Sequence, residues 1–245
     1  MLLSVDRRAR ACRYPAPESL MILETNYIYH ISDYIRLVQE IQPTAFVIEN
    51  VPGLVGLFGG QIKDSIIEKF ISMGYTIQYK ILCAADYGVT QKRERVIIVG
   101  FRKDLHIDFT FPDVIYSQED LYQPLSSVLE KNVDEKYFFS EKAVQGMMKN
   151  RESMNKGRAQ DITKPCNTVG AHLAKVSLNS TDSVLMEGER YRRFTPREVA
   201  RIQSFPEKFK LVGSKSAQYR ALGNAIPPVM FWYVANSVFK ELVAE

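Results

Sequence analysis

Hydrophobic positions in the first half of the chain recur at helical spacing and then bunch at strand length. Tyr34, Leu37, Val38 and Ile41 fall on one helical face, and Pro43 ends that helix. Ala45-Phe46-Val47-Ile48 is a continuous apolar run, the pattern of a strand buried on both faces. A loop with Gly53, Gly56, Gly59 and Gly60 comes after it. Next is a helix that places Ile62, Ile66, Phe70 and Met73 on one face, with Gly74 after it as the stop. Two further strands are predicted over 76–82 and 96–100. This strand–helix–strand alternation predicts an α/β layer with a mainly parallel sheet. Residues 104–188 break the pattern. They are polar and irregular, with short aromatic clusters such as Tyr137-Phe138-Phe139, and predict a separate small lobe. A helix over 228–243, with Val229, Tyr233, Asn236 and Val238 among its residues, is expected to dock back on the first layer.

The stretch 191–228 is the most informative. Thr195 fits a helix N-cap, with Pro196 at the first helical position and Glu198 as its capping-box partner. Val199 and Ile202 share a face, and Phe205-Pro206 stops the helix. Gly223-Asn224 ahead of Pro227-Pro228 predicts a stiff turn whose backbone groups can meet a ligand or another strand.

Composition narrows the classes. At 245 residues with 46% hydrophobic and 24% charged side chains, the chain can bury a real core of one or two domains. Its net charge of +4 permits nucleic-acid binding without arguing for it. Cys12, Cys83 and Cys166 are isolated and odd in number, and His30, His106 and His172 are scattered, so neither a disulfide framework nor a metal site is expected. No apolar run spans a bilayer, and the arginine-rich start lacks the apolar segment of a secretory signal. A cytoplasmic protein is expected.

Two short motifs carry chemistry. Glu49-Asn50 sits at the carboxyl end of the predicted strand 45–48, where open α/β sheets place ligands. A carboxylate there either caps the loop or bonds a base edge and moves a proton. Gln91-Lys92-Arg93-Glu94-Arg95 leads into the next strand. In an extended segment Gln91, Arg93 and Arg95 project to one side and can face one cleft. Planar, permanently charged guanidinium groups suit phosphate and base carbonyls, although most charge runs are solvated surfaces. Between 106 and 163, Lys142, Lys149, Arg151, Lys156 and Arg158 offer phosphate contacts, with an ordinary solvated helix and loop as the alternative.

Taken together, Glu49-Asn50-Val51, the string from Asp86 to Arg102, Lys164-Pro165-Cys166-Asn167-Thr168-Val169, the capped helix and Gly223-Asn224-Ala225-Ile226-Pro227-Pro228 resemble the DNA (cytosine-5)-methyltransferases. The resemblance runs from about Tyr34 to the C-terminus. It implies the C-terminal part of a Rossmann-like methyltransferase sheet with a small DNA-recognition lobe. It divides the chain into an atypical N-terminus (1–33), part of the catalytic lobe (34–103), a target-recognition lobe (104–188) and closing motifs (189–245). It further implies that Glu49 holds a flipped cytosine at its ring nitrogen, that Arg95 meets the base carbonyl, and that Arg93 organises the site and the backbone phosphate. Gln91 joins the DNA contacts, and Asn224 and Ala225 line the pocket for S-adenosylmethionine. Double-stranded DNA is the implied partner.

Two parts of the family pattern are missing ahead of Glu49: the Gly-rich cofactor turn and the Pro-Cys dipeptide that carries the nucleophile. Cys12, between Ala11 and Arg13, does not match the latter. The genetic code offers a reason. Codons that begin at the third base of each residue's codon permit Gly-Gly-Pro-Pro-Cys-Gln-Gly across Ser4–Ala11, and Asp-Asp-Pro-Arg-Asn-Lys-Leu-Tyr across Leu20–Ile28. Both strings resemble the family's catalytic loop and the segment after it. Residues 1 to about 32 are therefore expected to be an out-of-frame reading of that region.

The expectation is a fragment of a modification methyltransferase that is inactive alone, since its nucleophile is absent. Its sheet would lack strands, leaving an open edge and an aggregation-prone chain. The alternatives are one polypeptide of a split enzyme, active with a complementing N-terminal chain, and a DNA-binding remnant without chemistry.

Overall fold

A computed structural model describes residues 31–149, 159–175 and 183–243. In chain order the elements are helix α1 (31–41), strand β1 (Ala45–Asn50), a helical turn at Gly53–Gly56, α2 (Gln61–Ser72), β2 (Tyr75–Cys83), β3 (Gln91–Lys92) and β4 (Glu94–Arg102). They continue with α3 (Glu141–Lys149), β5 (Cys166–Asn167), β6 (Leu185–Glu187), β7 (Arg190–Arg192), α4 (Pro196–Ile202), α5 (Lys215–Asn224) and α6 (Pro228–Val243). Two compact units form. One takes the described residues to Leu82, Glu94–Pro112 and the chain from Val234. The other takes Cys83–Arg93 and Asp113–Tyr233. Among the described residues no helix is long and apolar enough to cross a membrane. The N-terminal stretch expected to be out of frame lies, to residue 30, outside the described residues.

The first unit is built on a three-stranded sheet ordered β1–β4–β2. β1 runs antiparallel to β4, with Ala45 opposite Phe101 and Asn50 opposite Val96. This corrects the mainly parallel sheet. Helix α2 does link β1 to β2, but β4 inserts between them. It arrives through residues 84–93, a link without the crossover helix that a parallel return requires. The apolar runs behave as expected of a covered layer, with Phe46, Val47 and Ile48 buried against Val96–Val99.

An aromatic cluster fills one face. Phe46 lies 4.6 Å from Phe70 and 5.1 Å from Tyr75, centroid to centroid, and Tyr34 meets Phe46 edge-on at 6.1 Å. The two tyrosines carry hydroxyls, and burial is tolerated because Tyr34 donates to the Val47 carbonyl (3.2 Å) and Tyr75 to that of Pro43 (2.8 Å). Gly100 faces Phe46 across the ladder, and a Cβ there would lie 2.3 Å from the Phe46 ring. The α2 face forms as predicted: Ile66 and Phe70 are buried, and Ile62 and Met73 pack at the cluster's edge. Gly74 comes next with φ +89°, the left-handed conformation that favours glycine after a helix. Two apolar positions differ. Ile41 is half-exposed at the last turn of α1, because Tyr34 and Val38 already cover the cluster. On α6 the buried positions are Met230, Val234 and Val238, and Val229 is exposed.

The second unit has its own core, in which Leu125, Cys166, Val169, Phe194, Val199, Ile202, Tyr219 and Leu222 are buried together. Strands β3 and β5 pair in parallel, and β6 and β7 form a small hairpin closed at Gly188, with φ +61°. Helix α4 carries the full capping box: Thr195 Oγ1 accepts from the Glu198 amide (3.1 Å), and Glu198 Oε2 accepts from the Thr195 amide (2.8 Å).

Candidate functional site

The carboxyl end of β1 is where the first unit concentrates charge. The ladder register sets this up. Glu49 faces Ile97, so Arg95, two residues before Ile97 on β4, is its diagonal neighbour on the same face. Arg95 Nε lies 2.7 Å from Glu49 Oε1, with only 10% and 3% of the two side chains exposed. Arg95 Nη1 also donates to the Glu94 carbonyl (2.7 Å). Asn50 is buried beside the pair, and its Oδ1 accepts from the Val51 amide at 2.8 Å. A buried carboxylate and guanidinium set side by side is costly to desolvate and contributes little to stability relative to an apolar pair. What it offers is chemistry: one group accepts hydrogen bonds or a proton, and the other donates and stabilises negative charge.

The second unit uses its part of the polar string differently. Arg93 is 1% exposed. Its Nη1 donates to the Val169 carbonyl (3.2 Å), and its Nη2 donates to those of Gly223 (3.1 Å) and Ala225 (3.2 Å). Gln91 is fully buried. Its Oε1 accepts from the Val169 amide (2.8 Å), and its Nε2 donates to Gln203 Oε1 (2.9 Å). Gln203 in turn donates from Nε2 to the Leu222 carbonyl (2.6 Å). Four segments distant in sequence are thereby locked together: residues 91–93, the loop at 169–170, the end of α4 at Gln203 and the end of α5. Gly223 is required there, since a Cβ would come within 2.3 Å of the Gly170 main chain.

Sequence reasoning put Gln91, Arg93 and Arg95 in one cleft. The structure brings Gln91 and Arg93 together on Val169 and pairs Arg95 with Glu49 instead. Gln91 and Arg93 are occupied by main-chain and amide partners, so neither presents its polar group at an open surface. Asn224 and Ala225 stand half-buried at the end of α5, with Ala225 in extended backbone. Asn224 makes no side-chain hydrogen bond among the described residues, so this turn fits one wall of a pocket for a polar ligand. The space beside Gly223 is filled by Gly170. The wall therefore fits S-adenosylmethionine only as one side of its site. Arg151, Lys156 and Arg158, and the side chain of Lys149, lie outside the described residues.

The motif reading missed Gln203 and the pair Arg192–Glu198. Arg192 Nη1 and Nη2 each reach Glu198 at 2.9 Å, and both side chains are nearly inaccessible. Glu198 Oε1 also accepts from the Glu130 amide at 3.0 Å. A signal for Gln203 existed: it lies four residues after Val199, on the helix face that Val199 and Ile202 bury. For Arg192 no pattern on β7 distinguishes a buried arginine from a surface one.

Comparison with known proteins adds a family. Residues 24–240 match the family model of the C-5 cytosine-specific DNA methylases, a span that starts ahead of Tyr34. The type II methyltransferase M.BspRI of Lysinibacillus sphaericus is 32% identical over 238 residues, covering 88% of this chain and 55% of the relative. M.BsuRI of Bacillus subtilis is 31% identical and M.FnuDI of Fusobacterium nucleatum 32%, with 53% and 68% of those relatives covered. The chain thus spans about half the length of the first two. Among solved structures, the Entamoeba histolytica methyltransferase EhMeth superposes with a TM-score of 0.71 at 18% identity, over 98% of this chain and 77% of that one. The fold is that of the Rossmann-like methyltransferases, and the chain belongs to the C-5 cytosine-specific DNA methylase family.

Proposed function

We propose that this chain is the base-holding part of a DNA (cytosine-5)-methyltransferase that, when complete, moves a methyl group from S-adenosylmethionine to cytosine C5 in duplex DNA. The observation that carries the reading is the buried Glu49–Arg95 pair at the carboxyl end of β1. A cytosine flipped out of the duplex presents a ring nitrogen beside a carbonyl. Glu49 holds the nitrogen edge and favours its protonation, and Arg95 donates to the carbonyl as negative charge develops on the ring. Arg93 and Gln91 act one step back, fixing the turn at 223–225 that lends Asn224 and Ala225 to the donor's pocket. The bound donor supplies the transferable methyl. The nucleophilic thiolate that activates the ring is outside this reading: Cys83 lies in none of the motifs, Cys166 belongs to the 164–169 string rather than to a catalytic loop ahead of Glu49, and burial pushes both thiols above their ordinary range.

Alone, the chain is expected to transfer no labelled methyl to duplex DNA. Activity that appears only on adding the N-terminal part of a relative, and vanishes in Glu49→Gln, selects a subunit of a split enzyme. Methyl transfer by the chain by itself overturns the proposal. The codons for residues 4–11 decide between a split and a disrupted gene: only a disrupted gene spells the Pro-Cys motif there in the shifted frame.

A further inference from the structure

Basic side chains outnumber acidic ones in a stretch of the second unit that includes α4 and α5. Residues 197–220 contain six basic side chains (Arg197, Arg201, Lys208, Lys210, Lys215 and Arg220) and two acidic ones (Glu198 and Glu207), a net charge of +4 within one stretch. Of the acids, Glu198 is buried on Arg192. Glu207 is bound at both oxygens by Arg201, Nε to Oε2 at 2.9 Å and Nη2 to Oε1 at 2.8 Å. The cations that remain without an ion pair among the described residues are exposed on the segment between α4 and α5 and on α5 itself.

That segment is held in one shape from inside. Arg197 donates to the carbonyls of Glu207 (3.1 Å) and Phe209 (2.9 Å), and the Phe209 amide returns to Pro206 (2.9 Å). Phe205 and Phe209 pack at 4.7 Å. At the far end Gln218 Nε2 donates to the Gly213 carbonyl (3.0 Å), and Ser214 caps α5. Two arginines and one glutamate are thus spent on building the loop, while Lys208 and Lys210 are exposed to solvent and Lys215 lies over the Tyr137 ring at 4.9 Å. Such an arrangement suits a polyanion of fixed geometry: the loop that carries the cations is already shaped, so little backbone ordering entropy is lost on contact.

We infer that the loop 206–215, with Lys208, Lys210 and Lys215, contacts the phosphodiester backbone of duplex DNA and positions the duplex without reading its sequence. The inference rests on the duplex-DNA substrate proposed above and adds a surface outside the Glu49–Arg95 site. Each phosphate contact contributes about 0.9 to the slope of log affinity against log salt. The test is the anisotropy of a fluorescein-labelled duplex of about 20 base pairs, titrated with the chain at several sodium chloride concentrations. The triple variant Lys208→Ala/Lys210→Ala/Lys215→Ala is expected to lower the slope by about 2–3, equally for unrelated sequences. The triple Lys→Arg variant keeps the slope. The control triple Lys69→Ala/Lys80→Ala/Lys240→Ala, equally exposed, is expected to leave it nearly unchanged.

An unchanged slope in the alanine triple, or an equal fall in the control triple, overturns the loop assignment and leaves the DNA reading standing. A parent chain that binds no duplex overturns both. Binding to phosphatidylserine vesicles that is lost in the alanine triple, with duplex binding retained, assigns the loop to an anionic membrane surface and also overturns the inference.

Discussion

Arg93 and Arg95 stand two residues apart in one short motif, yet the regions around them are built to opposite ends. Around Arg93 both Nη groups donate to main-chain carbonyls, Gln91 bonds the Val169 amide and Gln203, and the result is a knot of four segments tied by Arg93, Gln91 and Gln203. Around Arg95 the partner is the carboxylate of Glu49, on the neighbouring strand. Carbonyls that lose their donor in a buried place have no other means of satisfaction. A carboxylate and a guanidinium can instead exchange one another for a ligand that offers both a donor and an acceptor. The first region is scaffold and the second is suited to chemistry, even though both are written with the same residue.

The largest expected effect tests how closed the first region is. Glu198 serves Arg192 twice, caps α4 and accepts from the Glu130 amide, all in one buried place. Glu198→Ala leaves the buried Arg192 guanidinium with only the half-exposed Glu187, 2.6 Å from its Nε, and urea unfolding should show a loss of about 3 kcal/mol. A loss below about 1 kcal/mol would mean that water reaches the pair, and the picture of a closed scaffold would fail.

Next comes the direct comparison of the two arginines. One ammonium cannot span three carbonyls, so Arg93→Lys is expected to cost about 2–3 kcal/mol. Arg95→Lys retains an ion pair with Glu49 and should stay within about 1 kcal/mol of the parent. The comparison collapses if the two substitutions destabilise equally. A complemented, active enzyme sharpens it: Arg95→Lys should lower kcat there with stability intact, because the planar two-point contact to a base carbonyl is lost.

Smaller again is Gly223→Ala. The added methyl meets the Gly170 carbonyl carbon and the Ala171 nitrogen, which are main chain and cannot rotate away as the end of a flexible side chain can. Overpacking of this kind costs about 1–3 kcal/mol, and we expect about 1–2 for Gly223→Ala by urea unfolding. Equal stability of Gly223→Ala and the parent would show that the knot has slack.

Much of this was legible in residue order because it is local. The capping box at Thr195 and Glu198 depends on residues within one helical turn, and the α2 face on a repeat of 3.6. The Glu49 position at a strand end could be placed from an apolar run that stops at a polar pair. What stayed hidden depends on pairing between distant segments. Alternation records only the succession of elements along the chain, so the strand order β1–β4–β2 is invisible to it and the sheet was expected to be parallel. Likewise alternate residues of 91–95 share a side in any extended strand, but only the register on β1 and the contact with Val169 decide that Arg95 and Arg93 serve different partners. Charge patterning alone suggests solvent for all three basic residues of that motif. Burial reverses it for Arg93 and Arg95.

The smallest expected effect concerns the scaffold's buried thiol, Cys166, which is inaccessible beside Val169 and Leu125 in the core that the knot closes. Burial pushes its pKa up to about 12, against the pull of a hydrogen bond with Ser183. The consequence for stability has a definite sign. Below about pH 9 the thiol is protonated in the folded and the unfolded chain alike, and it adds no pH dependence. Above that point the unfolded chain releases the proton and the folded chain does not, so stability falls by about 1.4 kcal/mol for each further unit of pH. Tyr87, raised to about 12 by burial, adds a loss of the same sign only above about pH 10. Between pH 8 and 10 Cys166 should therefore contribute a loss of about 1.4 kcal/mol by urea unfolding, with Cys83, also raised by burial, adding a loss of the same sign, and Cys166→Ala, less stable at the outset, should lose distinctly less than the parent over the same interval. An identical alkaline loss in both would show that the folded scaffold lets the thiol ionise, and a core that admits a thiolate would not keep Arg93 and Gln91 dry.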